Sequence, residues 1–199
     1  MDELDLLPAP WRETFELMWE AYVAGTIPVG AVVAGVDDVV VSRGRNRIFG
    51  DRVAEHLGGT RLAHAEINAL VGLSSDAVYE GLTLYTALEP CHLCLAAATT
   101  ARVGRVTYAG ADRYGGAVGM LLPSEDMLAH PIVVEGPRSG VTGLLPELLH
   151  LRHMLWRVPG SNVARIYRDA APELIERALQ LPSPDEASTL DEAFAAISV

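Results

Sequence analysis

The chain has 199 residues, of which 50% are hydrophobic and 21% are charged, so it can fill a core and does not read as a disordered segment. Its 15 cationic residues are all arginines and face 26 acidic residues, which gives a formal net charge of −11 and disfavours a large nucleic-acid-binding surface. The acidic N-terminus lacks the basic start of a signal peptide, and no apolar run is long enough to cross a bilayer. We therefore expect a cytoplasmic protein with no membrane partner.

Helices and strands alternate along the first three quarters of the chain. The predicted elements are a helix over 10–25, a hairpin of strands over 28–35 and 39–44, a long polar loop over 45–61, a helix over 62–73, a strand over 81–88, a helix over 91–103, a strand over 104–111, a short helix over 123–130, a strand over 131–136 and a helix over 143–156. The connection between the last two strands is too long for a tight hairpin, which favours parallel pairing. This alternation predicts an α/β fold, a three-layer α/β sandwich.

The composition changes after residue 157. Residues 160–199 carry three arginines and seven acidic residues, and they predict two short helices, over 172–181 and 189–197. We therefore expect a main domain over 1–157 and an acidic helical C-terminal extension over 158–199. The sequence leaves open whether this extension is docked or partly mobile.

Cys91 and Cys94 are the only cysteines in the chain, and they lie on the first turn of a predicted helix. Residues three apart share one face of a helix, so both sulfurs can reach one metal ion. The positive end of the helix favours thiolates, which are the form that binds zinc. In a reducing compartment, metal binding or redox chemistry explains the pair better than a disulfide.

A second motif offers a third metal ligand and an acidic residue, which the two cysteines alone do not provide. His64 opens another predicted helix, and Glu66 follows two residues later. A catalytic zinc commonly takes three protein ligands and keeps one position for water, beside which a glutamate can carry protons. The pattern H-x-E … P-C-x-x-C is the signature of zinc nucleobase deaminases. It predicts one zinc ion per chain, bound by His64, Cys91 and Cys94, with Glu66 as the catalytic proton carrier. A redox pair would not need His64 and Glu66, and a closed structural site would need a fourth ligand.

Over residues 10–157 the chain resembles the cytidine deaminase-like superfamily, and most closely its tRNA adenosine deaminase and guanine deaminase branch. The segments that carry the resemblance are "IPVGAVVA", "GRNR", "AHAEINAL", "TLYTALEPCHLC", "RVGRVTYAGADRYGGAVG" and "IVVEG". The resemblance implies a three-layer α/β/α sandwich with a mixed five-stranded sheet, in which strands 4 and 5 are parallel. It also implies a homodimer that pairs through the helices carrying the zinc ligands.

The resemblance assigns further residues to substrate binding. Asn46 matches an asparagine that hydrogen-bonds the substrate. Val29, Gly30 and Ala31 match a strand segment that lines the base pocket. Ala65 and Glu89 would place backbone groups near the base.

Departures from the family pattern bear on the substrate. The basic C-terminal helix of the tRNA enzymes is not recognisable, and the acidic extension occupies its place. We therefore expect a zinc-dependent hydrolytic deaminase that releases ammonia from a small amino-substituted nucleobase, nucleoside or related heterocycle, with a purine-type substrate favoured. The alternatives are tRNA adenosine deamination, guanine or cytosine deamination, and a non-catalytic zinc-binding module, against which Glu66 argues.

Several other conspicuous residues have ordinary explanations. We expect His92 to point off the opposite face of its helical turn, and His150 and His153 to be structural or exposed. The arginines at 43, 45, 47 and 52 indicate either a solvated loop or a phosphate contact at the pocket mouth.

Overall fold

The structure is a computed structural model that describes residues 4, 6–52, 57–119, 124–186 and 188–197. Its strands are β1 (Gly30–Ala34), β2 (Val40–Arg45), β3 (Thr83–Leu88), β4 (Arg105–Gly110) and β5 (Val133–Glu135). Its helices are α1 (Ala9–Val23), α2 (Ala65–Leu70), α3 (His92–Thr100), α4 (Glu125–Ala129), α5 (Val141–Arg157), α6 (Asn162–Ala170), α7 (Pro172–Gln180) and α8 (Leu190–Ile197). Part of the predicted loop over 45–61, residues 53–56, lies outside the described residues.

The strands form one mixed sheet in the order β2-β1-β3-β4-β5. β1 is antiparallel to both β2 and β3, whereas β3, β4 and β5 run parallel to one another. The predicted hairpin and the parallel pairing of the last two strands are therefore confirmed. The parallel strands place their carboxyl ends at one edge of the sheet, where loops can carry functional side chains.

Helices cover both faces of this sheet, which confirms the three-layer α/β/α prediction. Alternate strand residues point to opposite faces. Leu84 on β3 packs in one apolar cluster with α2 and α3, whereas Ala87, three residues further along the same strand, packs in a second cluster with α1 and α5.

Two glycines allow helices to approach the sheet closely. A Cβ atom at Gly30 would lie 2.3 Å from the carbonyl oxygen of Thr14 in α1. A Cβ atom at Gly44 would lie 2.4 Å from backbone atoms of both Ala65 and Ala69 in α2. Any larger residue at Gly44 would push α2 away from β2, and α2 is the helix that the zinc-site motif opens.

The C-terminal extension contains three helices, so the prediction of two was wrong. The missed helix, α6, begins after Ser161, whose hydroxyl accepts a hydrogen bond from the backbone N–H of Ala164 at 3.2 Å. All three helices dock on the α1 and α5 side of the sheet and share its apolar cluster. Phe194 of α8, for example, packs edge-on against Phe15 of α1, with ring centroids 5.4 Å apart. The division of the chain into two units at residue 157 stays a prediction.

The described helices include none with the length and apolar character that a membrane crossing requires.

Candidate active site

The starts of two helices meet at the carboxyl edge of the parallel strands. His64 is the N-cap residue of α2, and Cys91 is the N-cap residue of α3, both with extended backbone. Cys94 follows on the first turn of α3 and is buried. The two motifs therefore come together in space, as the pattern H-x-E … P-C-x-x-C predicts.

The three candidate metal ligands lie at distances that suit one zinc ion. The Nδ1 atom of His64 is 3.6 Å from the Sγ atom of Cys91 and 3.4 Å from that of Cys94, and the two sulfurs are 3.6 Å apart. Tetrahedral zinc with its usual bonds to sulfur and nitrogen would place such donors about 3.6 to 3.8 Å apart. The donor set of one imidazole and two sulfurs also matches the preference of zinc. Within the described ranges this is the one cluster of three such donors.

The protonation of the two sulfurs is coupled. Hydrogen bonds from Cys94 and then from His64 lower the pKa of Cys91 to about 3, even though burial opposes this. The contact with Cys91, followed by burial and the nearby charge of Glu66, raises the pKa of Cys94. These opposite shifts reflect the competition of two adjacent sulfurs for one proton. A divalent cation would displace that proton, so the site fits a bound zinc.

Glu66 lies on the first turn of α2 and is only 4% exposed. Burial raises the pKa of its carboxyl group, with a backbone hydrogen bond and His64 acting in the opposite direction. The Thr86 hydroxyl lies 3.2 Å from the Oε1 atom of Glu66 and can donate to it. A buried carboxyl group with a raised pKa that lines a cavity is suited to act as a proton carrier.

Asn46 is buried, and its side-chain amide has a defined orientation. Its Oδ1 atom accepts hydrogen bonds from the Thr26 hydroxyl at 2.7 Å and from the backbone N–H of Ile48 at 3.1 Å. The Nδ2 group has no partner among the described residues and remains available as a donor. Thr26 was not identified from the sequence, yet its hydrogen bond to Oδ1 leaves the Nδ2 end of the Asn46 amide available.

A cavity of about 240 Å³ joins these groups. The residues that line it are Ile27, Val29, Asn46, His64, Glu66, Leu88, Glu89, Cys91, Asp112, Tyr114, Gly115, His150, Met154 and Val163. Its walls are mainly apolar, and its polar groups are few. This is the composition of a small-molecule site, and its size lies just below the usual range of about 300–1,000 Å³.

The other residues assigned to substrate binding are placed differently. Val29 lines the cavity, but Gly30 and Ala31 do not. Gly30 faces α1, and Ala31 packs in the cluster below α2. Ala65 is buried in that same cluster and does not line the cavity either.

Glu89 lines the cavity, but its groups also hold the neighbouring loop. Its backbone N–H donates to the carbonyl of Gly110 at 2.8 Å. Its carboxylate accepts from the backbone N–H groups of Asp112 and Val118, each at 3.3 Å. Glu89 therefore orders the loop after β4, from which Asp112 and Tyr114 reach the cavity.

Sequence reasoning did not find the wall formed by the last helices. His150 and Met154 of α5 and Val163 of α6 line the cavity, whereas the motifs lie on α2 and α3. The available signal at His150 was a polar residue on the apolar face of an amphipathic helix, a feature that it shares with Glu147 and His153. His92, by contrast, is exposed, as its position in the helical turn predicts.

The arginine run is partly paired. Arg43 forms an ion pair with Glu13, and Arg45 lies 3.6 Å from Glu20. Arg47 and Arg52 make no ion pair within the described part of the chain. The first two arginines are therefore tied to α1, and only the latter two stay available for another partner.

A histidine and two cysteines with metal-site spacing, a buried glutamate beside them and a mixed five-stranded sheet define a zinc-binding protein of the deaminase type. The family model for the cytidine and deoxycytidylate deaminase zinc-binding region matches residues 10–110. The chain belongs to this family, and the predicted superfamily is confirmed. The cofactor of the family is zinc, as the sequence motifs predict.

The chain is also similar to individual proteins of known name and to a solved structure. The tRNA(Ile)-lysidine synthase of Deinococcus deserti is 32% identical over 89% of this chain, which spans only 29% of that protein. The tRNA-specific adenosine deaminase of Bacillus subtilis is 31% identical over 68% of this chain and 79% of its own length. A solved structure from work on A-to-I editing by tRNA:A34 deaminases is 27% identical, with a TM-score of 0.50, and covers 64% of this chain and 91% of its own.

Proposed function

We propose that the protein is a zinc-dependent hydrolytic deaminase that releases ammonia from an amino-substituted nucleobase, nucleoside or related heterocycle, with a purine-type substrate favoured. The observation that carries this proposal is a cluster of His64, Cys91 and Cys94 at a small, mostly apolar cavity that Glu66 also lines. In this proposal the histidine and the two cysteines hold the zinc ion. When bound, zinc lowers the pKa of a water molecule to about 7, which makes a hydroxide nucleophile available.

The remaining steps belong to side chains of the chain itself. Glu66 accepts the proton of the attacking water and delivers it to a ring nitrogen, and it then assists the amino group to leave as ammonia. Asn46 donates from Nδ2 to an acceptor on the substrate, since Thr26 and Ile48 already occupy its Oδ1 atom. Val29 and Leu88 contribute apolar walls that exclude water from the reacting edge of the base.

Three observations support a small substrate. The net charge of −11 disfavours extended contacts with phosphates. The cavity holds little more than one heterocycle, and α6 forms part of its wall. The docked C-terminal extension is acidic, and no basic RNA-binding helix is recognisable in it.

The second candidate is tRNA adenosine deamination. The names of the relatives from Bacillus subtilis and Deinococcus deserti both refer to tRNA. Arg47 and Arg52 are near the cavity residue Asn46 in sequence and are free of ion pairs within the described ranges, so they can contact a phosphate. A base flipped out of an RNA loop would need no larger cavity than a free base.

One experiment separates the two candidates. Ammonia release is measured at moderate salt for free bases, nucleosides, nucleotides and an adenosine-bearing anticodon stem-loop, with zinc content determined on the same sample. The proposal expects release from at least one small molecule. Turnover of the stem-loop alone would replace it with the second candidate, and a fully zinc-loaded protein without any turnover would leave a non-catalytic zinc-binding module.

We also propose a homodimer that pairs through α3. Leu93 is 38% exposed on this helix and offers an apolar contact. Ala96 and Thr100 are exposed on the same helix, and their small side chains allow a second helix to pack closely. Light scattering at micromolar concentration should give twice the chain mass. The mass of a single chain would contradict the dimer.

A further inference from the structure

His150 is a buried polar group for which the fold provides no partner. The residue is only 5% exposed, and its Nδ1 atom is fully buried without a hydrogen bond to any described residue. Its Nε2 atom also has no partner there, but unlike Nδ1 it is not fully enclosed. The residue lines the cavity.

The charged residues near His150 accept hydrogen bonds from other groups. On α5 itself, Glu147 accepts hydrogen bonds from the Nε atom of Arg113 at 2.7 Å and from the hydroxyl of Tyr167 at 3.0 Å. From the loop after β4, Asp112 accepts backbone hydrogen bonds from Tyr114 and Gly115, both at 2.9 Å. Burial lowers the pKa of His150, although Asp112 and Glu147 act in the opposite direction, so the ring is neutral and offers one donor and one acceptor.

The position of His150 in the fold indicates what it can contact. His64, Glu66 and Cys91 reach the cavity from the layer of α2 and α3, on one side of the sheet. His150 reaches it from α5, on the other side, together with the apolar side chains of Met154 and Val163. A base whose amino-bearing carbon lies at the zinc donors therefore presents its remote part to His150.

We propose that His150 is a specificity-determining residue, whose Nε2 atom hydrogen-bonds the remote ring of a purine-type base while Met154 and Val163 pack on its face. This inference rests on the proposed function and names the part of the site that would select the substrate. A bound base would give the Nε2 atom a hydrogen-bond partner, and a base that lacks a complementary atom there would leave Nε2 without one. Such a base would bind more weakly, because a ring that is only 5% exposed has little access to water that could replace the missing partner.

His153 provides the matched control. It lies one turn further along α5, is fully buried, and has both ring nitrogens unpartnered among the described residues, but it does not line the cavity. The two histidines therefore differ in their access to the cavity rather than in burial.

The test compares His150→Leu and His150→Gln with His153→Leu. Leucine is similar in size to histidine and has no polar atom, whereas glutamine can keep a polar atom near the Nε2 position. We expect His150→Leu to lower kcat/KM for purine-type substrates about tenfold or more, mainly through KM, and to leave pyrimidine-type substrates unchanged. His150→Gln should recover part of the loss, and His153→Leu should leave kcat/KM unchanged.

A binding measurement keeps this inference separate from the proposed function. Isothermal titration calorimetry with hypoxanthine and with uracil is carried out on the wild-type protein and on both His150 variants. If the wild type releases no ammonia from any substrate, the proposed function fails, and weaker binding of hypoxanthine to His150→Leu still supports the inference. Equal binding of hypoxanthine to wild type and His150→Leu, or no binding to the wild type, would overturn it.

A spectroscopic measurement covers the case in which His150→Leu does not fold. In wild-type protein labelled with ¹⁵N-histidine, hypoxanthine should shift the ring-nitrogen resonance of His150 and leave that of His153 in place. An unshifted His150 resonance at saturating hypoxanthine would overturn the proposal.

Discussion

Replacing His153 with leucine should stabilise the protein at neutral pH and make it less sensitive to acid. His153 has no exposed surface, and neither ring nitrogen has a hydrogen-bond partner in the described part of the chain. An unpaired buried polar group costs about 1–3 kcal/mol. The ring also packs against Phe49 and Trp156, with centroids 6.4 and 5.8 Å apart, and leucine loses part of that contact. We expect a net gain of about 1 kcal/mol in the free energy of unfolding at pH 7.

The effect of acid follows from the protonation of His153. Burial, followed by electrostatic interactions with His150 and Arg157, lowers its pKa from 6.5 to about 3. The ring is therefore neutral in the folded protein, whereas the unfolded chain takes up a proton below pH 6.5. Stability is unaffected above pH 6.5 and is lost as the pH falls from 6.5 towards 3. Between pH 7 and pH 5 the loss amounts to about 2 kcal/mol, which His153→Leu would remove.

Urea unfolding at pH 7 and at pH 5 measures both effects. Acid also weakens zinc binding, so the useful quantity is the difference between variant and wild type at each pH, in which the zinc contribution cancels. That difference should grow by about 2 kcal/mol between the two pH values. A difference that stays constant, or a variant less stable than the wild type at both pH values, would refute the reasoning.

Further predictions concern the zinc site, the oriented amide and a close helix contact. Cys94→Ser should reduce bound zinc from one ion per chain to a small fraction by elemental analysis, because a hydroxyl is a poor zinc ligand; full occupancy would contradict the ligand assignment. Thr26→Val keeps the shape but removes the hydrogen bond to the amide oxygen of Asn46, so kcat/KM should fall about tenfold in steady-state assays, and an unchanged value would mean that the amide needs no such support. Gly44→Ala places a Cβ atom 2.4 Å from backbone atoms of α2 and should destabilise the protein by about 3 kcal/mol or more in urea unfolding, whereas Gly81→Ala, with nothing within 4 Å, should have little effect; equal stability of the two variants would contradict this.

Much of the metal site could be predicted because its parts are local in sequence. Cys91 and Cys94 are three apart at the start of a helix, and His64 and Glu66 are two apart at the start of another, so each pair is oriented by its own helical turn. The hairpin of β1 and β2 is likewise local. Its short turn has Asp38 in the left-handed region at φ 60°.

The remaining wall of the cavity depends on contacts between distant segments. His150 became a cavity residue only because α5 packs across the carboxyl ends of β3 and β4, which periodicity within the helix does not reveal. The helix α6 was missed although Ser161 is a suitable N-cap and Val163 and Tyr167 have helical spacing. Its arginines and the following Pro172 give the segment the composition of a loop. At Gly30 and Ala31 the family motif is present in the sequence, but those two residues face helices rather than the cavity. A motif alone therefore does not reveal which of its residues reach the cavity.

The most direct test of the central proposal is ammonia release by Glu66→Gln compared with the wild type, both at full zinc occupancy. The glutamine amide is close in size to the carboxyl group but cannot carry the proton. The variant should keep its fold and its zinc and should lose about 10²- to 10⁴-fold in kcat on whichever substrate the wild type deaminates. Near-normal turnover by Glu66→Gln would contradict the assignment of Glu66 as the proton carrier and the mechanism built on it.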